Sequence, residues 1–373
     1  MVRCMEEDFG NPSSLYQLGV DSEKILKEAR KNLTAQAPGF RAVFTSGGTE
    51  ADNMAILGTA KALRREGNRI VTTKVEHPAV LECCKSLEKE GFDVVCVGVD
   101  SHCRLNMDEL EDAIDDKTIL VSVMHVNNEI GTIMPVGEIK RLMQAKHAPG
   151  LFHCDAVQSF GKLPLPTGAD LIALSGHKIY GPKGSGALLL KKGKTPSGKN
   201  IDVPPYILGG GQESGLRSGT ENVAAIAGLG VAAKIITETR EKEMARLGRL
   251  RELLRGALTD GLDDVQINSP EEIGEEAGMC CPVLLNVTFR GTRGEVLLHT
   301  LEQDGIYVST GSACSSNKKG QSHVLQAMGI KEKDIEGTIR FSLGRYNTEE
   351  DILFATDKTI AAVKRFRQLG SFR

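Results

Sequence analysis

What the chain lacks narrows its class before any motif is read. No apolar run approaches the ~20 residues that a membrane-spanning helix needs, so no membrane role is expected. The opening, "MVRCMEEDFG", has no apolar signal-peptide core, which leads to an expected cytoplasmic location. Neither sign of charge is in excess: 46 Lys and Arg against 49 Asp and Glu leave a net charge of -3. That balance gives no general pull toward nucleic acid or an anionic membrane. Nine cysteines are present, but no pair has C-x-x-C spacing. A zinc site of the common spacing and a thioredoxin-like motif are therefore not expected, and no metal is assigned. In a reducing compartment most of these cysteines read as small buried hydrophobes. There is no internal repeat at a solenoid period and no low-complexity segment.

What is present is the balance of an ordinary globular protein, 40% hydrophobic and 25% charged over 373 residues, long enough for two domains. "RAVFTS", "RIVTTKV", "DVVCVGV", "TILVSVMHV", "GLFHCDA", "ADLIALS" and "GALLLKK" read as strands. Between them lie amphipathic stretches such as "EADNMAILGTAKALRREG" and "PAVLECCKSLEKEG". This alternation predicts an α/β fold with a mostly parallel sheet covered on both faces. A long helical pattern from about Asn222 to Leu262 leads into a smaller α+β domain. There "CPVLLNVTFRG", "GIYVST" and "GTIRFSLG" read as strands and "TEEDILFATDKTIAAVKRF" as a closing helix. The expected division is a large domain over 1–240 and a small one over 241–373.

Ligands of open parallel sheets bind beyond the carboxyl ends of the strands, so the residues after each strand carry the chemistry. "GGTE" follows the first and opens a helix, a phosphate cradle or simply a turn that packs a helix on a strand. "EHPAV" places His77 at the end of the second, and "NNEIG" places two amides where a later one stops. Asp155 ends "GLFHCD", where it reads either as a helix cap or as a buried acid. "GHK" follows "ADLIALS", setting Lys178 beside Ser175 and His177 in a tight turn. Taken singly, Lys178 would be a solvated loop lysine. Together, a phosphate cradle, an imidazole, an amide pair, a carboxylate and a lysine match the needs of pyridoxal 5'-phosphate. That cofactor requires a lysine for its Schiff base and an acid to keep its ring nitrogen protonated.

"FTSGGTE", "EHPAV", "HVNNEIG", "HCDAVQSFGKLP", "SGHKIYGPKG", "GGGQE" with "LRSGTEN", "STGSACSS" and "IRFSLGRYNTEED" occur in the order and spacing of NifS-like cysteine desulfurases. The chain thus resembles the class V aminotransferase group of fold-type I pyridoxal-phosphate enzymes, from about Phe9 onward. The resemblance implies that Lys178 forms the Schiff base, Asp155 pairs with the ring nitrogen, His77 stacks on the ring and Gln158 contacts its hydroxyl. It implies that Gly48, Thr49, Ser175 and His177 hold the phosphate, with Thr220 reaching across from the other subunit of a homodimer. Asn128, counted also among the cofactor-site residues, would bind the substrate carboxylate with Arg340. Arg340 alone would otherwise read as half of a structural ion pair.

Cys314 would be the nucleophile that takes sulfur from L-cysteine, leaving alanine and a persulfide that passes to an acceptor protein. Such an acceptor would be an iron–sulfur scaffold or a tRNA-thiolation partner. Cys314 lies in the polar loop "TGSACSSNKKGQS", where Lys318 and Lys319 either favour the thiolate or are solvated charges. Two departures from the family pattern bear on activity. The relatives' N-terminal segment with an Asp-x-x-Ala-Thr-Thr motif is not seen here, and the C-terminal tail is short. Selenocysteine lyase shares all these motifs, and a catalytically impaired pyridoxal-phosphate-binding or scaffold homologue is the alternative from another class.

Overall fold

The computed structural model describes residues 1–196, 198, 200–310 and 322–370. They form two compact units. The first comprises Met1–Val97, Met107–His125 and Pro135–Arg240, and the second Gly98–Asn106, Val126–Met134 and Glu241–Arg373.

The first unit is built on a seven-stranded sheet. Its strands are β1 (Phe40–Thr45), β2 (Arg69–Thr73), β3 (Asp93–Val97), β4 (Thr118–Ser122), β5 (Leu151–Asp155), β6 (Leu171–Ser175) and β7 (Gly186–Lys191). Their spatial order is β1-β7-β6-β5-β4-β2-β3. The pairs from β6 to β3 are parallel, while β7 is antiparallel to both its neighbours. Its helices are α1 (Val2–Glu6), α2 (Gln17–Thr34), α3 (Gly48–Leu63), α4 (Pro78–Lys89), α5 (Met107–Ala113), α6 (Val136–Ala145) and the start of α7 (Val223–Gly261). Every residue of β4, β5 and β6 is buried. Strands covered on both faces have no solvent side, which is why these segments read as continuous apolar runs rather than alternating ones.

Helix α3 supplies much of that cover. Ala51, Met54, Ala55, Ile56, Ala60 and Leu63 are buried in one cluster with Ile70, Leu120, Leu151, Leu171 and Leu188. Each large aliphatic side chain so buried contributes roughly 1.5–3 kcal/mol relative to exposure. Small Ala residues let the helix lie close to the sheet, and a charge placed at Ala55 would be buried without a counter-ion. Helix α4 starts where Pro78 presets the first helical φ and the His77 ring accepts from the Ala79 N–H.

The second unit holds an antiparallel sheet of β8 (Val265–Ile267), β9 (Leu284–Phe289) and β10 (Thr338–Ser342), in the order β10-β9-β8. Its helices are the end of α7, α8 (Gly294–Glu302), α9 (His323–Ala327), α10 (Glu332–Ile335) and α11 (Glu349–Gln368). Thr348 and Asp351 form a reciprocal cap at the start of α11. Arg251 of α7 is fully buried and donates to the carbonyls of Leu284 at 2.9 Å and Pro270 at 2.8 Å.

Two features differ from the sequence reading. "GIYVST" forms no strand; its pairing reduces to a bridge between Ser309 and Arg340. The segments 98–106 and 126–134, assigned by sequence to the large domain, group with the C-terminal unit instead. The reason is local bonding. Thr132 bridges to Cys280, Ser269 Oγ donates to the Ile130 carbonyl at 2.6 Å, and Asn286 Nδ2 donates to the Glu129 carbonyl at 3.2 Å.

Candidate active site

In the first unit the sequence-predicted residues other than Thr220 lie just at or after the carboxyl ends of β1, β2, β5 and β6. β1 ends at Thr45, and two residues later α3 begins at Gly48. A Cβ on Gly48 would lie 2.6 Å from Val157 Cγ2 and 3.6 Å from Ser175 Cβ, so only glycine fits. The turn is pressed equally tightly from below, since a Cβ on Gly186 would come 2.6 Å from Gly47 Cα. The first turn of α3 therefore presents bare backbone, with Thr49 exposed beside it. Backbone N–H groups at a helix start, with the positive end of its dipole, suit an anion. Glu50 in this turn is engaged: it accepts from the Ser46 N–H at 2.8 Å and from Arg217 Nε at 2.9 Å. Burial opposes its charge, but Arg217 and Ser46 hold its carboxyl below the ordinary value.

β2 is followed by Glu76 and His77. The half-buried His77 ring accepts from the Ala79 N–H through Nδ1 at 3.2 Å. That bond assigns the ring's proton to Nε2 in its neutral form. β5 ends at Asp155, whose Oδ1 accepts from the Val157 N–H at 2.9 Å. Burial pushes the Asp155 carboxyl up to about 6, opposed by the Val157 bond and by the charge of Lys178. Gln158, three residues on, is half-buried, and its backbone carbonyl accepts from Lys162.

After β6, Ser175 Oγ lies 2.8 Å from His177 Nδ1. Gly176–Ile179 form one 3-10 turn, closed by Tyr180 in the left-handed region at φ 65°. This turn holds Lys178 half-buried at the strand end, within electrostatic reach of Asp155. Burial, then Lys178, Lys183 and Lys162, hold the His177 imidazole below its ordinary value. Thr220 is exposed after the loop "GGGQESGLRSG". In that loop Glu213 and Ser214 adopt positive φ. Buried Glu213 is fixed there by two hydrogen bonds from Arg30 and one from the Phe44 N–H.

Asn128 and Arg340 belong to the second unit. Arg340 Nη1 donates to the Asn128 backbone carbonyl at 2.9 Å, which holds the guanidinium against this turn. The turn is held by Asn127, whose side chain accepts from the N–H groups of Glu129 and Ile130. Cys314, Lys318 and Lys319 lie outside the described residues. Of the eight described cysteines, Cys83, Cys84, Cys103, Cys154, Cys280 and Cys281 are buried, and none is fully exposed. Burial pushes the thiols of Cys83 and Cys280 up to about 12 and raises those of Cys84 and Cys154 further, so none of these four favours its thiolate.

Sequence reasoning missed five buried ionisable groups around these residues. Glu76 accepts from Thr73 Oγ1 at 2.9 Å and from the Met124 N–H through both oxygens, and burial pushes it up to about 8. Asp52 and His153 lie in the core of the first unit. His125 is buried with its ring Nδ1 unbonded, while its backbone N–H donates to the Asp155 carbonyl at 2.9 Å. In the second unit Glu129 accepts from Ser322 Oγ at 2.5 Å. Burial pushes Glu129 up to about 7 against that bond and the charge of Arg340. Glu76 and Glu129 adjoin His77 and Asn128, residues the motifs had already marked. Only their burial distinguishes them from surface acids.

A mostly parallel sheet, a glycine-backed helix start, and a lysine and an acid at neighbouring strand ends define a fold-type I transferase of the class V group. The aminotransferase class-V family model matches residues 1–354, and the chain belongs to that family. Among its relatives is the protein named cysteine desulfurase IscS of Dictyoglomus turgidum, 41% identical over 379 residues, covering 100% of this chain and 92% of the relative. A solved structure described as a NifS-like protein superposes with a TM-score of 0.87 at 35% identity, over 98% of this chain and 94% of the other. Another, described as SspA in complex with cysteine, gives a TM-score of 0.76 at 31% identity, over 93% and 94%. The resemblance and the fold class read from the motifs are borne out.

Proposed function

We propose that this chain is a cysteine desulfurase that carries pyridoxal 5'-phosphate, takes sulfur from L-cysteine and releases alanine. The observation that carries this reading is Lys178, held in a one-turn helix at the end of β6 within electrostatic reach of the buried carboxyl of Asp155. The residues present fit the cofactor. Asp155 is a buried acid that a cationic ring nitrogen would stabilise as the anion. Gly48 leaves room for nothing but backbone at a helix start, which suits a phosphate. Lys178 would hold the cofactor covalently, His77 would lie on the ring and Gln158 would meet its hydroxyl. Gly48, Thr49, Ser175 and His177 would take the phosphate, joined by Thr220 from a second copy of the chain.

When bound, the ring supplies an electron sink for charge left on the substrate. The protein's part is to bind, orient and move protons. Arg340, with Asn128, would grip the substrate carboxylate through its planar fork. The Lys178 amine, once released, would accept the Cα proton. The Cys314 thiolate would then attack the substrate sulfur; the S–S bond forms as the substrate's C–S bond breaks, leaving a persulfide on Cys314 and, after protonation, alanine. An acceptor protein of cytoplasmic sulfur metabolism, for iron–sulfur clusters or thio-modification, would take the sulfur from there.

Purified protein loaded with pyridoxal phosphate should release alanine and, with reductant, sulfide from L-cysteine in equal amounts. Without reductant, mass mapping should find the added sulfur on Cys314. Bound cofactor with no alanine would leave a binding protein, and faster turnover of selenocysteine would reassign the enzyme as a selenocysteine lyase.

A further inference from the structure

Two side chains that the proposed chemistry does not use face each other in the core of the first unit. Asp52 stands on α3, four residues after Gly48, and His153 stands on β5, two residues before Asp155. Strand side chains alternate, so His153 and Asp155 share one face of β5. Asp52 Oδ1 lies 3.5 Å from His153 Nε2, with the side chains 2% and 0% exposed. Neither atom makes a hydrogen bond, to the other or elsewhere, among the described residues. The other ring nitrogen, Nδ1, is 2.9 Å from Ser122 Oγ at the end of β4. Buried polar atoms left unpaired are costly, and one proton between these two would satisfy both.

We propose that Asp52 and His153 share a single buried proton and act as a positioning pair. The pair ties the helix that presents Gly48 and Thr49 to the strand that ends in Asp155, and it does so without net charge. This rests on the pyridoxal-phosphate reading, in which those two elements grip opposite ends of one ligand: an anionic group at the helix start and a cationic ring nitrogen at the strand end. A strut between them fixes the span of the cradle.

The placement of the proton follows from the surroundings. Full burial raises the Asp52 pKa well above the ordinary value, and the ionisable groups acting on it, the carboxyls of Asp155 and Glu76, add to that. Cys83 and Cys154 are the nearby thiols, and neither adds positive charge. An ionised Asp52 would be a further charge in a site that already holds two acids. Burial also holds the His153 imidazole down to about 3, so the ring is neutral. The Asp52 O–H therefore donates to Nε2, and the ring's Nδ1–H donates to Ser122 Oγ, whose backbone carbonyl accepts from Thr72 Oγ1 at 2.9 Å.

The test combines side-chain NMR with cofactor binding, on the full chain. In protein labelled with imidazole-15N histidine, the His153 signal is identified by its loss in His153→Gln. It should show an unprotonated Nε2 and a protonated Nδ1, unchanged from pH 8 to pH 5.5. An imidazolium or an Nε2–H ring would overturn the proposal. Asp52→Asn keeps a neutral donor to Nε2, so its Kd for pyridoxal phosphate should stay within about threefold of wild type. Asp52→Ala removes the donor, and Kd should rise at least about tenfold with the circular dichroism spectrum retained. Wild-type affinity in Asp52→Ala, or an Asn variant as weak as the Ala one, would also overturn it. If the wild-type chain bound no pyridoxal phosphate, the functional reading would fall while the NMR still decided the pair.

Discussion

The fully buried Glu76 makes the stability of the first unit depend on pH in a direction opposite to that of an ion-paired acid. Burial, reinforced by Asp155, raises its pKa from 4.5 to about 8 in spite of the Met124 and Thr73 hydrogen bonds. In the unfolded chain it ionises near its ordinary value. Between those two values the folded state binds one proton more than the unfolded state, so stability falls as pH rises. One proton corresponds to about 1.4 kcal/mol per pH unit. From pH 5.5 to pH 7.5 the group therefore removes about 2–3 kcal/mol, and above pH 8 the loss levels off. Glu76→Gln keeps a carbonyl acceptor for the Met124 N–H and never ionises. The difference in unfolding free energy, variant minus wild type, should climb by about 1.4 kcal/mol per pH unit across that window. Urea unfolding followed by circular dichroism at pH 5.5, 6.5 and 7.5 measures it. Parallel profiles for the two proteins, or a difference that shrinks with pH, would refute the reasoning.

Gly48→Ala would force a methyl to within 2.6 Å of Val157 Cγ2, so it should cost about 1–3 kcal/mol of stability and weaken pyridoxal-phosphate binding, read by cofactor titration. Lys178→Ala should abolish turnover and the lysine adduct trapped by borohydride; an adduct at an unchanged site would remove Lys178 from its role. Arg340→Lys exchanges a planar fork for a point charge. It should raise KM for cysteine about tenfold or more with a smaller effect on kcat, and an unchanged KM would show that Arg340 does not grip the carboxylate.

Much of the sheet was legible because strands covered on both faces carry long apolar runs that survive any local ambiguity. The turns after those strands were legible for another reason. Gly47–Gly48, His77–Pro78 and Ser175–Lys178 each combine a backbone constraint with a polar group, and that combination stands out in a string of letters. The "GIYVST" segment shows the limit. Its residues favour a strand, but only Ser309 finds a partner, in Arg340, and no pattern within the segment reveals that. The same holds for the grouping of 126–134 with the C-terminal unit, which depends on hydrogen bonds from Ser269 and Asn286, far along the chain. Asp52, Glu76 and Glu129 look like surface residues in sequence, and nothing within "GLFHCDA" shows what His153 meets. What gives them consequence is burial, a property of the whole fold.

Burial also explains how one unit can hold Asp52, Glu76 and Asp155 so close that each acts electrostatically on another. Three anions in a medium that screens charge poorly would repel strongly, and nothing in their hydrogen bonds would offset three desolvation costs. The site avoids this by letting the three differ. Glu76 keeps a proton while it clamps the end of β2 to the Met124 backbone, and Asp52 is satisfied best by sharing a proton with His153. Asp155 has the lower pKa of the two, about 6 against about 8 for Glu76, because the Val157 N–H and Lys178 both favour its anion. It is thus the acid able to ionise near neutral pH, and it is the one placed at a strand end to meet a cation. Neutral partners on either side leave its charge without a nearby competitor, which is the condition for a single carboxylate to hold a ring nitrogen in its protonated form.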